Sequence, residues 1–209
     1  MRERITISIK KDLLNKIDRQ IDGSRIRNRS HAIEHFISES LGISDVNNAV
    51  VLAGGEGALK LIPTIEFFIE EFKSFGINEV YLAVGYLGAK IKEYIGDGTK
   101  FGLKVNYIES GDGTGGAIKK LRDKFNKSFI VVNTDEKMSI DFKKLISYHR
   151  KNLSISTIAT KELKNFKGVY IFEPEVFKII PNGFSMLEKD LFPKLFDENK
   201  ASAFPLIDC

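Results

Sequence analysis

Residues Ala49-Val50-Val51-Leu52-Ala53-Gly54-Gly55-Glu56-Gly57 set an apolar strand directly against a glycine-rich turn. Five apolar residues in succession fit a strand covered on both faces. Glycines behind such a strand let the backbone approach a ligand, and the N–H groups of the turn can converge on phosphate oxygens. Gly54, Gly55 and Gly57 are therefore candidate phosphate or nucleotide contacts. The stretch also marks Ala49 as the start of a larger domain over residues 49–209, behind a small module at 1–43 and a linker at 44–48.

The small module opens with strict alternation. Ile5, Ile7 and Ile9 share one face of a predicted strand, and Arg4, Thr6 and Ser8 share the other. A helical stripe follows at Leu13, Leu14, Ile17 and Ile21, and Asp22-Gly23-Ser24 closes it. Asn28 is placed as the N-cap of a second helix that buries Ala32, Ile33, Phe36, Ile37 and Leu41 and stops at Gly42. About forty residues rarely bury enough apolar surface alone, and a lone strand leaves its backbone unpaired. A second copy, related by a twofold axis, would supply both needs and predicts a homodimer or a higher even oligomer.

Residues 2–42 in this order resemble a ribbon-helix-helix domain of the Arc and MetJ type. The resemblance implies that paired strands enter the major groove of double-stranded DNA, with Arg4, Thr6 and Ser8 reading base edges. It also implies that Asn28, Arg29 and Ser30, at the start of the second helix, hold a phosphate, with Arg25 and Arg27 adding charge nearby. Bulk charge adds little, since residues 1–48 carry nine Lys and Arg against seven Asp and Glu. His31 and His35 stand at helical spacing, which a solvated face explains without a metal.

From Ala49 onward strands and helices alternate: helix near 65–72, strand 80–84, helix 89–94, strand 104–108, helix 116–125, strand 129–132, helix 142–151, strands 154–160 and 168–172. The pattern predicts an α/β fold with an open, mainly parallel sheet between helical layers. Ligands bind such sheets at the carboxyl ends of the strands, where the Gly54 turn and Asn133-Thr134-Asp135 both fall. Asp135 is a candidate metal or phosphate contact, although the same triplet also suits a plain turn.

Five ordered stretches resemble the sugar-phosphate nucleotidyltransferase family, with its nucleotide-diphospho-sugar transferase-like fold. They are Leu52 to Gly57, Val84-Gly85-Tyr86-Leu87 with Gly96 to Gly102, Gly113-Thr114-Gly115-Gly116-Ala117, Gly168 to Pro174, and Leu187-Glu188-Lys189-Asp190-Leu191-Phe192-Pro193. The resemblance implies that the glycine loop cradles a nucleotide, that Gly115 and Gly116 lie near base or sugar, and that Asp135 holds Mg²⁺. Tight packing at a helix start would equally explain Gly115-Gly116.

Departures from the family pattern point the other way. Ala58-Leu59 stands where the family has Thr-Arg, leaving Lys60 as the nearest cation, and an ammonium does not reproduce the guanidinium fork. Pro63-Thr64-Ile65-Glu66 already starts the next helix, where the family carries a longer loop with a phosphate-holding Lys-Pro. Lys161 to Lys167 is short against the family's Glu-Lys-Pro excursion, and Asp208 lacks the flanks of the family's second metal-binding Asp. The resulting expectation is a DNA-binding transcription regulator with no catalytic residue, whose second domain senses a nucleotide or nucleotide sugar. The alternative is an active minimal nucleotidyltransferase that uses the N-terminal module for oligomerisation.

Composition excludes other classes. With 43% hydrophobic and 29% charged residues and no long apolar run, a disordered or membrane-spanning chain is not predicted. The single cysteine, Cys209, allows no intrachain disulfide. The opening Met1-Arg2-Glu3-Arg4 lacks an apolar signal core, which together with the cysteine count predicts a cytoplasmic protein.

Overall fold

The computed structural model describes residues 5–23, 26–40, 46–54, 58–85, 88–135, 137–152, 154–161, 166 and 168–206. The chain divides into two compact units, Met1–Ser44 and Asp45–Cys209.

The first unit holds α1 (Lys11–Asp18) and α2 (Arg29–Ser40). Asn28 caps α2 as predicted, its Oδ1 accepting from the His31 N–H at 3.0 Å. The expected strand is not formed: residues 5–10 have no regular structure, and Arg4 lies outside the described residues. A strand exists through its ladder, and the described residues of this unit offer no second strand to pair with. Ile17 and Ala32 are buried between the helices, whereas Ile5, Ile7, Leu13 and Ile37 remain exposed.

The second unit carries a seven-stranded sheet: β1 (Asn48–Ala53), β2 (Glu79–Val84), β3 (Lys104–Glu109), β4 (Phe129–Asn133), β5 (Ser156–Thr160), β6 (Val169–Phe172) and β7 (Ala201–Pro205). Their order is β3-β2-β1-β4-β6-β5-β7, with β6 antiparallel to both neighbours and the remaining pairings parallel. The α/β class and the mainly parallel sheet match the sequence reading. β7 is an addition to it, and the helix expected at 116–125 is instead α5 (Gly113–Lys119) followed by turns.

Strand alternation divides the core in two. Val51, Ala53, Leu82 and Val132 face α3 (Ile62–Phe75), α4 (Gly88–Ile95) and α6 (Phe142–Asn152), where Phe68, Phe72, Ile91 and Leu145 are buried. Val50, Leu52, Tyr81, Val131 and Tyr170 face α5, a π-helical turn at Leu187–Leu191 and α7 (Phe192–Asp197). Burying a phenylalanine such as Phe72 or Phe129 contributes about 1.5–3 kcal/mol. α3 ends on Gly76 at φ 92, a left-handed cap that turns the chain into β2. Among the described residues no helix is long and apolar enough to cross a membrane.

Candidate active site

The strand order fixes where a ligand can sit. From β1 the chain winds outward through β2 and β3, then returns to place β4 on the other flank of β1. This reversal opens a crevice above the carboxyl ends of the central strands. A cleft of about 420 Å³ lies there, its floor made by Leu52 and Gly54 of the β1 end, Ala83 of β2, Ser110 after β3, and Asn133 and Asp135 of the β4 end. Gly54 leaves this floor open, and a Cβ there would stand 3.0 Å from Ser110 Oγ.

One wall joins two segments distant in sequence. At the start of α5, Gly113 takes φ 77, and a Cβ on it would lie 2.4 Å from the Ser185 carbonyl oxygen. That contact brings residues 185–189 against the helix start. Thr114 Oγ1 accepts from the Leu187 N–H at 2.9 Å and donates to Glu188 Oε2 at 3.4 Å. Asp190 Oδ2 accepts from the Met186 N–H at 2.7 Å and closes the π-helical turn. π-bulges recur at functional sites because they re-aim side chains out of the regular helical array. Here Met186, Glu188 and Lys189 line the cleft opposite Asp135.

Asp135 is fixed from below. Thr134 is buried and its hydroxyl donates to the Leu52 carbonyl at 2.8 Å, while Asn133 Oδ1 accepts from the Asp135 N–H at 3.1 Å. Tyr170 is buried beneath them. Burial first, then the negative charges of Glu188 and Asp135, push its hydroxyl far above the ordinary range, so it is neutral and acts as a hydrogen-bonding group. Both cleft acids therefore bear on one buried phenol. Glu188 is a second carboxylate lining the same cleft as Asp135.

A family model described as nucleotidyl transferase matches residues 58–167, more than half of the chain. The chain belongs to that family. A D-glycero-alpha-D-manno-heptose 1-phosphate guanylyltransferase of Campylobacter jejuni is 35% identical over 175 residues, covering 69% of this chain and 77% of its own. A UTP–glucose-1-phosphate uridylyltransferase of Synechocystis is 29% identical over 184 residues, covering 65% of this chain and 47% of its own, so the chain spans about half of that relative. Among solved structures, HddC from Yersinia pseudotuberculosis shares the fold with a TM-score of 0.62 at 22% identity, covering 77% of this chain and 90% of its own.

These relatives overturn the expectation of a DNA-binding regulator with an inactive second domain. Their names are those of transferases, and the cleft of this nucleotidyl transferase unit retains two acids and a lysine. Of the residues read as nucleic-acid contacts, Thr6 and Ser8 are exposed on irregular backbone of the single chain. Arg29 is engaged by Asp18 through two hydrogen bonds of 2.8 Å, Asn28 Oδ1 accepts from the His31 N–H, and Ser30 lies in the first turn of α2. Arg4 lies outside the described residues.

Within the cleft, Gly54 and Asp135 stand where the sequence placed them, while Gly55, Gly57 and Asp208 fall outside the described residues. Gly115 and Gly116 lie one layer behind the wall: both are buried, and their N–H groups donate to the Ser185 carbonyl at 2.8 and 3.4 Å. Their neighbours Gly113 and Thr114 line the cleft instead. Lys60 is exposed on a 3-10 turn at Ala58–Leu61 and is not among the cleft residues. Ser110, Thr114, Glu188 and Lys189 were missed as site residues. The signal for the last two was the stretch from Leu187 to Pro193, in which three charged residues, Glu188, Lys189 and Asp190, interrupt apolar neighbours.

Proposed function

We propose that the second unit is a sugar-phosphate nucleotidyltransferase, joining a nucleoside triphosphate to a sugar 1-phosphate and releasing pyrophosphate. The observation that carries this reading is the convergence of Asp135, Glu188 and Lys189 on one cleft at the reversal point of the sheet, in a chain of this family. A phosphate oxygen of the sugar phosphate attacks the α-phosphorus, and the bond from that phosphorus to the pyrophosphate oxygen breaks. The acceleration then rests on holding both substrates in line and meeting charge on the phosphoryl oxygens. Lys189 supplies positive charge at the cleft wall, and Gly54 at the end of β1 leaves the floor open to a triphosphate.

The donor set suits magnesium. Two carboxylates face the cleft, and among the described residues no cluster of three or more Asp, Glu, His or Cys forms a closed cage. Mg²⁺ keeps waters and takes one or two carboxylates with substrate phosphates, so Asp135 and Glu188 would hold it. When bound, the ion supplies neutralisation of phosphate charge.

The relatives' names select the first substrates: GTP with a heptose 1-phosphate, and UTP with glucose 1-phosphate. Pyrophosphate release with one of these pairs, lost in Asp135→Ala, is the expected outcome. Absence of turnover with every pair, or undiminished turnover in Asp135→Ala, rejects the reading.

We also propose that the first unit assembles copies of the chain. Ile5 is 71% exposed, Ile7 49%, Leu13 54% and Ile37 48%, a large apolar share for a unit of two short helices. Light scattering on the full chain should give an even oligomer and Ile7→Glu a smaller species; a wild-type monomer at tens of micromolar would reject the assignment.

A further inference from the structure

In the run Gly113-Thr114-Gly115-Gly116 a single residue carries a side chain. A Cβ on Gly113 would lie 2.4 Å from the Ser185 carbonyl oxygen, one on Gly115 2.6 Å from Ser185 Oγ, and one on Gly116 3.1 Å from the Gly183 carbonyl oxygen. The glycines thus clear the ground on which residues 183–187 dock. Backbone bonds then seat the segment: the Ser185 N–H donates to the Asp112 carbonyl at 2.9 Å, and the Ser185 carbonyl accepts from the Gly115 N–H at 2.8 Å. Thr114 adds the side-chain contact of the run.

A threonine hydroxyl on a helix commonly bonds back to a carbonyl of its own helix. The Thr114 hydroxyl bonds outward instead, both as acceptor and as donor. Its oxygen is anchored by the Leu187 N–H at 2.9 Å, and its one proton is directed to Glu188 Oε2 at 3.4 Å. Met186 Sδ, at 4.0 Å, is the weaker acceptor, because a thioether competes poorly with a carboxylate. The hydroxyl therefore ties the carboxylate of Glu188, a half-buried residue of the cleft wall, to the start of α5.

We infer that Thr114 is a positioning residue for Glu188, its anchored hydroxyl holding the carboxylate in place at the cleft wall. The assignment rests on the reading of Glu188 as a metal-holding acid. Without the hydroxyl the carboxylate turns among its rotamers and must be ordered whenever a ligand enters. Outer partners of metal-holding groups change metal affinity by about 10–100-fold.

The test is Mn²⁺ binding to the full chain in the presence of GTP, followed by the electron paramagnetic resonance of free Mn²⁺, with thermal unfolding alongside. Thr114→Val keeps the shape of the side chain and removes both bonds, so Mn²⁺ affinity should fall by about tenfold. Thr114→Ser keeps the hydroxyl and should bind Mn²⁺ as wild type does. Glu188→Ala should weaken Mn²⁺, and adding Thr114→Val to it should cost nothing more, since both break one chain of contacts. A further loss in that double variant would mean that Thr114 acts on the ligand directly and overturns the proposal. Wild-type affinity in Thr114→Val, or a Thr114→Ser as weak as Thr114→Val, overturns it too. If Thr114→Val does not fold, Thr114→Ala, which adds no bulk, is read in the same way. Wild-type affinity in Glu188→Ala overturns the metal reading beneath, an outcome read without any Thr114 variant.

Discussion

The two ends of the sheet carry similar polar side chains arranged in opposite ways. At the carboxyl ends of β1 and β4, Asp135, Glu188 and Lys189 face an open cleft. At the other end, His149 is 2% exposed and holds Glu173 Oε1 at 3.0 Å through Nε2 and Thr157 Oγ1 at 2.7 Å through Nδ1. Ser202 Oγ lies 3.0 Å from Thr157 Oγ1, and the Ser128 hydroxyl donates to the same Glu173 oxygen at 3.0 Å. A carboxylate can only accept, so Nε2 of His149 carries a proton toward it. The far end is a closed circuit in which polar groups satisfy one another and join α6 to β5, β6 and β7. The cleft end instead presents charge to whatever enters. Groups of the first kind satisfy one another inside the fold; groups of the second kind remain open to a ligand.

The sharpest way to break this contrast is Glu188→Gln. It removes one charge from the cleft while keeping the shape of the π-helical turn. kcat/KM should fall about 10²-fold, the scale of losing one preorganised electrostatic contact to a reacting group. The urea midpoint should hold. A large stability loss with turnover preserved would make the turn a structural clamp and reverse the roles of the two ends.

His149→Ala probes the opposite end. Glu173 and Thr157 each lose a buried partner, so unfolding free energy should drop by about 1–3 kcal/mol in urea titrations, with KM and kcat unchanged at temperatures where the variant is folded. Loss of turnover in folded His149→Ala would show that the closed circuit reaches the cleft through the sheet.

The same contrast explains what the sequence disclosed. β1 and the position of Gly54 at its end were legible because a doubly covered strand and the residue that follows it are local, and Asp135 because it follows β4 directly. The alternation of Ile5, Ile7 and Ile9 was legible too, but a ladder depends on a partner strand, and periodicity alone cannot supply one. Glu188 and Lys189 were read as part of a motif without a role, because only the docking of residues 185–189 on the α5 start turns them toward Asp135. That docking is a contact between segments about seventy residues apart, carried by the missing Cβ of Gly113 and the hydroxyl of Thr114. The inactive reading, which the relatives overturn, had counted acids along the chain, and the fold adds Glu188 to the cleft that Asp135 lines.

The smallest effect is expected at Glu79, which opens β2 at the end of the sheet away from the cleft and pairs across the ladder with Lys104 of β3. Its Oε1 accepts from Lys104 Nζ and from Asn106 Nδ2, each at 2.9 Å. The hydrogen bond from Lys104 leads in holding the Glu79 carboxyl below its ordinary 4.5, with the Asn106 amide adding to it against the opposing effect of burial. A depressed carboxyl stabilises the fold at pH above its unfolded value and loses that contribution as pH falls through its folded value. Glu79→Gln should therefore be less stable than wild type at pH 6–7, by less than about 1 kcal/mol because the pair is solvent-exposed, and the gap should close as the pH is lowered below 4.5. Urea midpoints across that range, repeated at high salt to screen the Lys104 attraction, check it. A gap that persists in acid would mean that the Asn106 bond, rather than the charge, carries Glu79, and would place it with the closed polar circuit at that end of the sheet.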